Sequence, residues 1–285
     1  MSPPARPRFH AASAALSKFS AHPLQAHERG MLLVRALASD PRQWYLLYVP
    51  RDLALDAPPL VVVHGTARDA IELATWGVPV AEAYGVALIA PVFGFERHGR
   101  FQDFGQRGGQ GRADEALDAM LAQVWMLTHR TPRPVRLLGH GAGADFGLRY
   151  AASRPGNVAR LALCHPRRLL LPEMAVRGLV DPAHVPLTAV DRDQLAAFVG
   201  LPIRVWTGEV LPDERDDRPG EALRHARGPY RKLSARGWSA AMHDAARELG
   251  ARVDIACHGV PGADGRLTTS LSNGVLSHAA VFLLG

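Results

Sequence analysis

The sequence predicts an α/β domain built on a doubly wound, mostly parallel sheet. Three observations carry that expectation. Short runs rich in Val, Leu and Ile recur without polar alternation, which is how strands covered on both faces read. Segments of helical spacing stand between them. At 285 residues and 47% hydrophobic content the chain can bury one large core.

The elements follow in order. Leu32–Leu37 and Trp44–Val49 predict two strands joined by the turn at Asp40-Pro41. Pro59–His64 is a β-branched run, as expected of a buried parallel strand. Asp69–Tyr84 is helical in spacing and Val86–Val92 is again a buried strand. Phe93–Gly111, rich in Gly, Arg and Gln, predicts a loop, and Arg112–Thr128 a helix with Leu117, Leu121, Val124 and Trp125 on one face. Pro134–Leu138 reads as a strand, Gly141–Ala152 as a helix and Val158–Cys164 as a strand. A Pro-rich excursion, 166–200, is too short for a second domain and predicts a small cap. Ile203–Thr207 is a strand, and acidic Pro212–Asp217 a loop. Ser239–Leu249 predicts a helix, Val253–Cys257 a strand and Ser270–Leu284 a final helix. Residues 1–28, with no acid before Glu28, read as a loose N-terminal arm, and 29–285 as the domain.

Composition excludes several classes. No uninterrupted apolar run approaches the ~20 residues that span a bilayer. The net charge of +6 comes from Arg scattered among acids, without interleaved aromatics, so a nucleic-acid partner is not expected. Cys164 and Cys257 each end an apolar run and read as core residues, which fits a reducing cytoplasm. Thirteen histidines raise the question of a metal, but no His-x-x-x-His helix or paired-cysteine motif supports one, and no cofactor is expected. The loop Gly105–Gly111 lacks the preceding strand and the Lys-Ser/Thr ending of a phosphate cradle.

The chemically informative segment is Pro134–Asp145, PVRLLGHGAGAD. A strand runs into small residues and a helix leaves them, with Gly139 and Gly143 flanking Gly141. This is the pattern of a nucleophile elbow, G-x-S-x-G, with glycine in place of serine. His64-Gly65-Thr66 and the N–H of Ala142 supply an expected pair of backbone donors for a carbonyl or carboxylate oxygen, with His140 beside them.

The chain resembles the bacterial α/β hydrolases related to poly(3-hydroxybutyrate) depolymerases and feruloyl esterases. The matching segments, in order, are VVVHGTARDA, VALIAPVFGF, GRADEALDAML, VRLLGHGAGADFGLRYAASRPGNVARLALCHP, LPIRVWTGE and GVPGADG. The resemblance implies an α/β-hydrolase-type sheet with a catalytic Ser, Asp and His. It places those at Gly141, Leu211 and Gly265, so all three positions read as replaced, with Asp213 and His258 as candidate substitutes. The serine mechanism needs nucleophile, base and orienting acid together. The expected function is therefore a hydrolase-fold pseudoenzyme that keeps a pocket for a small ester or carboxylate ligand, or a protein partner. The alternative is an esterase-like or non-hydrolytic enzyme with a displaced mechanism.

Overall fold

The computed structural model describes residues 24–54, 56–105, 111–173, 189–208 and 234–285. Eight strands form one sheet: β1 (Leu32–Ala36), β2 (Trp44–Tyr48), β3 (Leu60–Val63), β4 (Leu88–Val92), β5 (Val135–His140), β6 (Val158–Cys164), β7 (Pro202–Gly208) and β8 (Asp254–Val260). Their order is β1-β2-β4-β3-β5-β6-β7-β8, and every pairing from β4 to β8 is parallel. The expected doubly wound, mostly parallel sheet is what the chain forms.

Helices cover both faces. On one lie α1 (Ala70–Ala83) and, at the C-terminus, α6 (Leu267–Ser272) and α7 (Val275–Leu284); on the other lie α2 (Ala113–Thr128), α3 (Ala142–Ser153), α4 (Ala189–Val199) and α5 (Ala235–Leu249). Leu60 to Val63 are buried throughout, which is why that run carries no polar alternation. The two core clusters draw alternately from it, Val61 and Val63 on one side, Leu60 and Val62 on the other.

Four details differ from the sequence expectation. The last helix is two, because Gly274 takes φ +78° and breaks it. The helix ending at Leu249 starts earlier, at Ala235, where Ser234 caps it by accepting the Gly237 N–H at 3.0 Å. The excursion contains α4, whose Leu195, Phe198 and Val199 join the core. Strand β8 runs on to Val260, so His258 lies within the strand and not at its end. Of the 1–28 arm, residues 24–28 are described. Leu24 packs against the core and Glu28 pairs with Arg35 at 3.1 Å.

One buried polar knot ties α2 to the antiparallel edge. The Gln123 side chain accepts from the Ala38 N–H at 2.7 Å and donates to the Ala36 carbonyl and the Tyr45 hydroxyl, both at 2.9 Å. Gln123→Leu strands these groups without water. We expect a loss of roughly 2–4 kcal/mol, read from the urea midpoint, since each orphaned buried group costs on the order of 1–3 kcal/mol. A change below about 0.5 kcal/mol would show the knot to be solvated.

Candidate functional site

Register aligns the C-terminal ends of the central strands. Val63 pairs with Gly139, and His140 with Cys164. The chain leaving β3, β5 and β6 therefore places His64, His140 and His165 at the same end of the sheet. Ligand crevices of open α/β sheets lie at this end, at the point where the strand order reverses.

Gly141 makes the turn from β5 into α3 with φ +58° and ψ −116°. Few residues with a side chain hold such angles without support. Its N–H donates to the Cys164 carbonyl at 2.8 Å, which anchors the turn to β6. The flanking glycines are required by packing: a Cβ on Gly139 would run into the Gly143 carbonyl, and one on Gly143 into the Val63 carbonyl. At Gly141 there is room. A Cβ there would meet only the Gly65 Cα, at 3.8 Å. The turn from β5 into α3 is thus held by close backbone packing at Gly139 and Gly143, with room for a side chain at Gly141.

Ala142 begins α3, so its N–H has no acceptor one turn back within the helix. It sits at the positive end of the helix dipole, beside the Gly65–Thr66 turn. Thr66 is exposed and Gly65 buried.

His64 is fully buried, and its ring is a brace. Nε2 accepts from the Phe93 N–H at 3.1 Å, and Nδ1–H therefore donates to the Gly65 carbonyl at 2.8 Å. It locks the Gly65 turn to the chain after β4. Arg68, at φ +59°, reinforces the same junction by donating to the carbonyls of Phe93, His98 and Gly99.

His140 is held by a residue that sequence reasoning missed. The Ser270 hydroxyl donates to the Arg266 carbonyl at 3.1 Å, so its oxygen accepts Nε2–H of His140 at 3.0 Å. Both side chains are buried. The bond fixes the tautomer and leaves Nδ1 as the lone-pair nitrogen, 3.5 Å from where a Cβ on Gly65 would stand. No signal in the sequence links positions 140 and 270.

His165 leaves β6 at φ +53°, with its N–H on the Trp206 carbonyl at 2.7 Å. Its ring lies edge-on to His140 with centroids 5.8 Å apart. Its Nε2 is buried and meets no partner among the described residues. Gly265, at φ +73°, stands next to it: a Cβ on Gly265 would be 3.9 Å from the His165 Cβ. His258 is elsewhere, exposed and stacked on Trp206 at 5.4 Å. Leu211, Asp213 and the whole of the acidic loop lie outside the described residues. Among the described residues no three His, Cys, Asp or Glu groups converge as metal ligands.

The loop after β6 is pinned by carboxylates. Asp145, in the first turn of α3, accepts the N–H groups of Arg167 and Arg168 at 2.8 and 2.9 Å. Burial pushes its carboxyl up, and those two N–H groups oppose the rise. Asp103 binds Arg100, Arg149 and Arg168, tying the Phe101–Asp103 turn to α3 and to this loop.

Burial also pushes His64 and His140 down to about 4, so both are neutral near pH 7. His98, buried under the same loops, falls to about 4 as well. In the unfolded chain a histidine titrates near ~6.5. Between that pH and about 4 the unfolded state binds more protons, so stability falls as pH drops through the window. The expected result is a urea midpoint level above pH 7 that declines steeply between pH 6.5 and 4. A flat midpoint there would mean that these imidazoles are solvated.

No family model matches the chain, and no curated protein sequence does. Solved structures do. The poly(aspartic acid) hydrolase-1 from Sphingomonas sp. KT-1 superposes with a TM-score of 0.61 at 16% identity, covering 85% of this chain and 94% of that one. LpqC, a poly(3-hydroxybutyrate) depolymerase from Bordetella parapertussis, gives 0.60 at 22% identity, covering 90% and 96%. An S-formylglutathione hydrolase from Agrobacterium tumefaciens gives 0.51 at 14% identity, covering 85% and 90%. The chain has the α/β-hydrolase fold that these hydrolases and the depolymerase share. No helix among the described residues is long and apolar enough to cross a membrane.

Proposed function

We propose that this chain is an α/β-hydrolase-fold pseudoenzyme that keeps a ligand or partner pocket above an elbow without a nucleophile. The observation that carries the reading is Gly141. It holds the strained strand-to-helix turn, flanked by two glycines that packing demands, and offers no atom that can attack a carbonyl. The proposed ligand contacts are the Gly65–Thr66 turn, the Ala142 N–H and His140, with His64 bracing the turn. Leu211 and Gly265 are read as the other two lost triad positions. The free thiols of Cys164 and Cys257 fit a cytoplasmic setting.

Removing a whole catalytic triad from a serine hydrolase costs about 10⁶ in turnover. The test is intact-mass spectrometry after exposure to excess fluorophosphonate, which modifies activated serines. The expected mass is that of the unmodified chain. A single stoichiometric adduct would overturn the reading.

A second reading, hydrolysis by an imidazole-activated water, draws on His165, which stands beside Gly265 with an unpartnered Nε2. Asp264 supports it, since its charge opposes the downward push of burial on that ring. It predicts ester turnover that resists serine inhibitors and is lost in His165→Ala.

A further inference from the structure

The two edges of the sheet differ. β1 is five residues long and carries a buried charge, Arg35, paired with Glu28. Short edge strands with buried charges resist pairing with a further strand. β8 has neither device. It runs seven residues, Asp254–Val260, in unbroken parallel register with β7, from Pro202↔Asp254 to Gly208↔Val260. It contains no Pro, Lys or Arg. It is the last strand of the sheet, so among the described residues no strand pairs with its outer side. Alternate residues of such a strand turn their N–H and C=O outward, as a template for another strand. Ile255, Ala256 and Cys257 at its middle are half-buried, and a Cβ on Gly259 would have nothing within 4 Å.

The side chains of β8 select the occupant. Asp254, Ala256 and His258 share one face by the period of two. There Asp254 holds Arg204 through Oδ1 at 2.7 Å, and the His258 ring lies on Trp206. Asp254 and His258 are both exposed. Four residues along a strand set them roughly 13 Å apart, too far to meet within one copy. A second β8 laid antiparallel about a two-fold axis at Ala256 sets Asp254 opposite His258 of the second copy, twice over. Ile255 then meets Cys257 on the other face. An axis one residue further on, at Cys257, would set Asp254 opposite Val260 and forfeit both polar pairs. Pairs directly across a ladder stabilise when opposite in character and destabilise when alike, so charge complementarity singles out one register. We propose that β8 is a self-pairing edge, through which two copies of this chain join antiparallel about Ala256 and continue the eight-stranded sheet of one into that of the other. The inference rests on the fold and is independent of the pocket reading. A two-fold contact closes on itself, so the assembly stops at two copies.

The test is sedimentation velocity of the full chain at pH 7.5, up to about 200 µM, a range that reaches the weak association of small interfaces. The expected result is a monomer–dimer equilibrium with no larger species. His258→Glu sets an acid opposite Asp254 of the second copy and should weaken the dimer about tenfold, because the two-fold axis makes each change count twice. His258→Lys should tighten it. Residue 258 is exposed, so both variants should keep the wild-type far-ultraviolet spectrum. Crosslinking reads the register. Residues directly opposite in an antiparallel pair have Cα atoms about 4.5–5.5 Å apart, within reach of a disulfide. Moving the thiol one position, by Ala256→Cys with Cys257→Ala, should give a covalent dimer on treatment with diamide. The wild-type chain, whose Cys257 faces Ile255 of the second copy, should not crosslink. A chain that stays monomeric at about 200 µM overturns the proposal. So does a dimer that crosslinks through wild-type Cys257, fails to crosslink when the thiol is moved, or responds alike to Glu and Lys at 258.

Discussion

Gly141→Ser is expected to fold and still to be a poor esterase. The new side chain has room, since a Cβ meets only the Gly65 Cα at 3.8 Å. Holding φ +58° with a side chain costs on the order of 1–3 kcal/mol, so the melting temperature should fall by several degrees. The hydroxyl would lie beside the Ala142 N–H with no committed base. His140 spends Nε2–H on Ser270, and Gly265 carries no imidazole. A serine hydroxyl that stays protonated is a weak nucleophile. Adding Gly265→His and Leu211→Asp should raise turnover at least tenfold over the single variant, since base and orienter act as a unit. His165 crowds the new imidazole, its Cβ 3.9 Å from that of residue 265, so adding His165→Ala should improve the repair further. Strong, inhibitor-sensitive turnover from Gly141→Ser alone would mean that His165 already serves as a base. Gly265 would then not be a lost histidine position.

Gly143→Ala should be among the most damaging small substitutions in the chain. Its methyl would run into the Val63 carbonyl, which belongs to the central strand β3 and cannot retreat without breaking the sheet. Overpacking against immobile backbone costs several kcal/mol, and at least about 3 is expected here, enough to abolish soluble expression in a marginally stable protein. Gly141→Ala isolates the backbone term, because it adds a methyl with space around it. Gly94→Ala, where nothing lies within 4 Å and φ is not positive, is the control and should change stability by less than about 0.5 kcal/mol. Melting temperatures of the three variants rank the causes. A Gly143→Ala protein as stable as wild type would show that α3 can slide away from β3 and that the elbow is looser than its geometry implies.

The fold was legible because buried parallel strands write themselves plainly. PPLVVVHG and RLALCHP carry no polar alternation, and the glycines at 139 and 143 mark close approach of backbones. The site was legible in part. The Gly-x-Gly-x-Gly run located the turn, but the roles of the rings did not follow from it. His64 had to be seen against Phe93 before its two nitrogens could be counted as spent, and Ser270 meets His140 across 130 positions of sequence. Side-chain pairing over such distances leaves no local pattern. His258 misled for a different reason. Exposed polar residues on an edge strand such as β8 blur the alternation that marks where a strand stops. The break of the last helix at Asn273-Gly274 was a missed signal, since Asn-Gly is a turn dipeptide.

The measurement that tests the proposed loss of hydrolytic chemistry most directly is the rate of p-nitrophenyl butyrate cleavage by the purified wild-type chain, after a serine-reactive inhibitor has silenced contaminants. A rate no greater than that of free imidazole at equal concentration is expected if, as proposed, Gly141 stands where a nucleophile would be needed. Inhibitor-resistant hydrolysis that rises in proportion to this protein, and that disappears in His165→Ala, would contradict it.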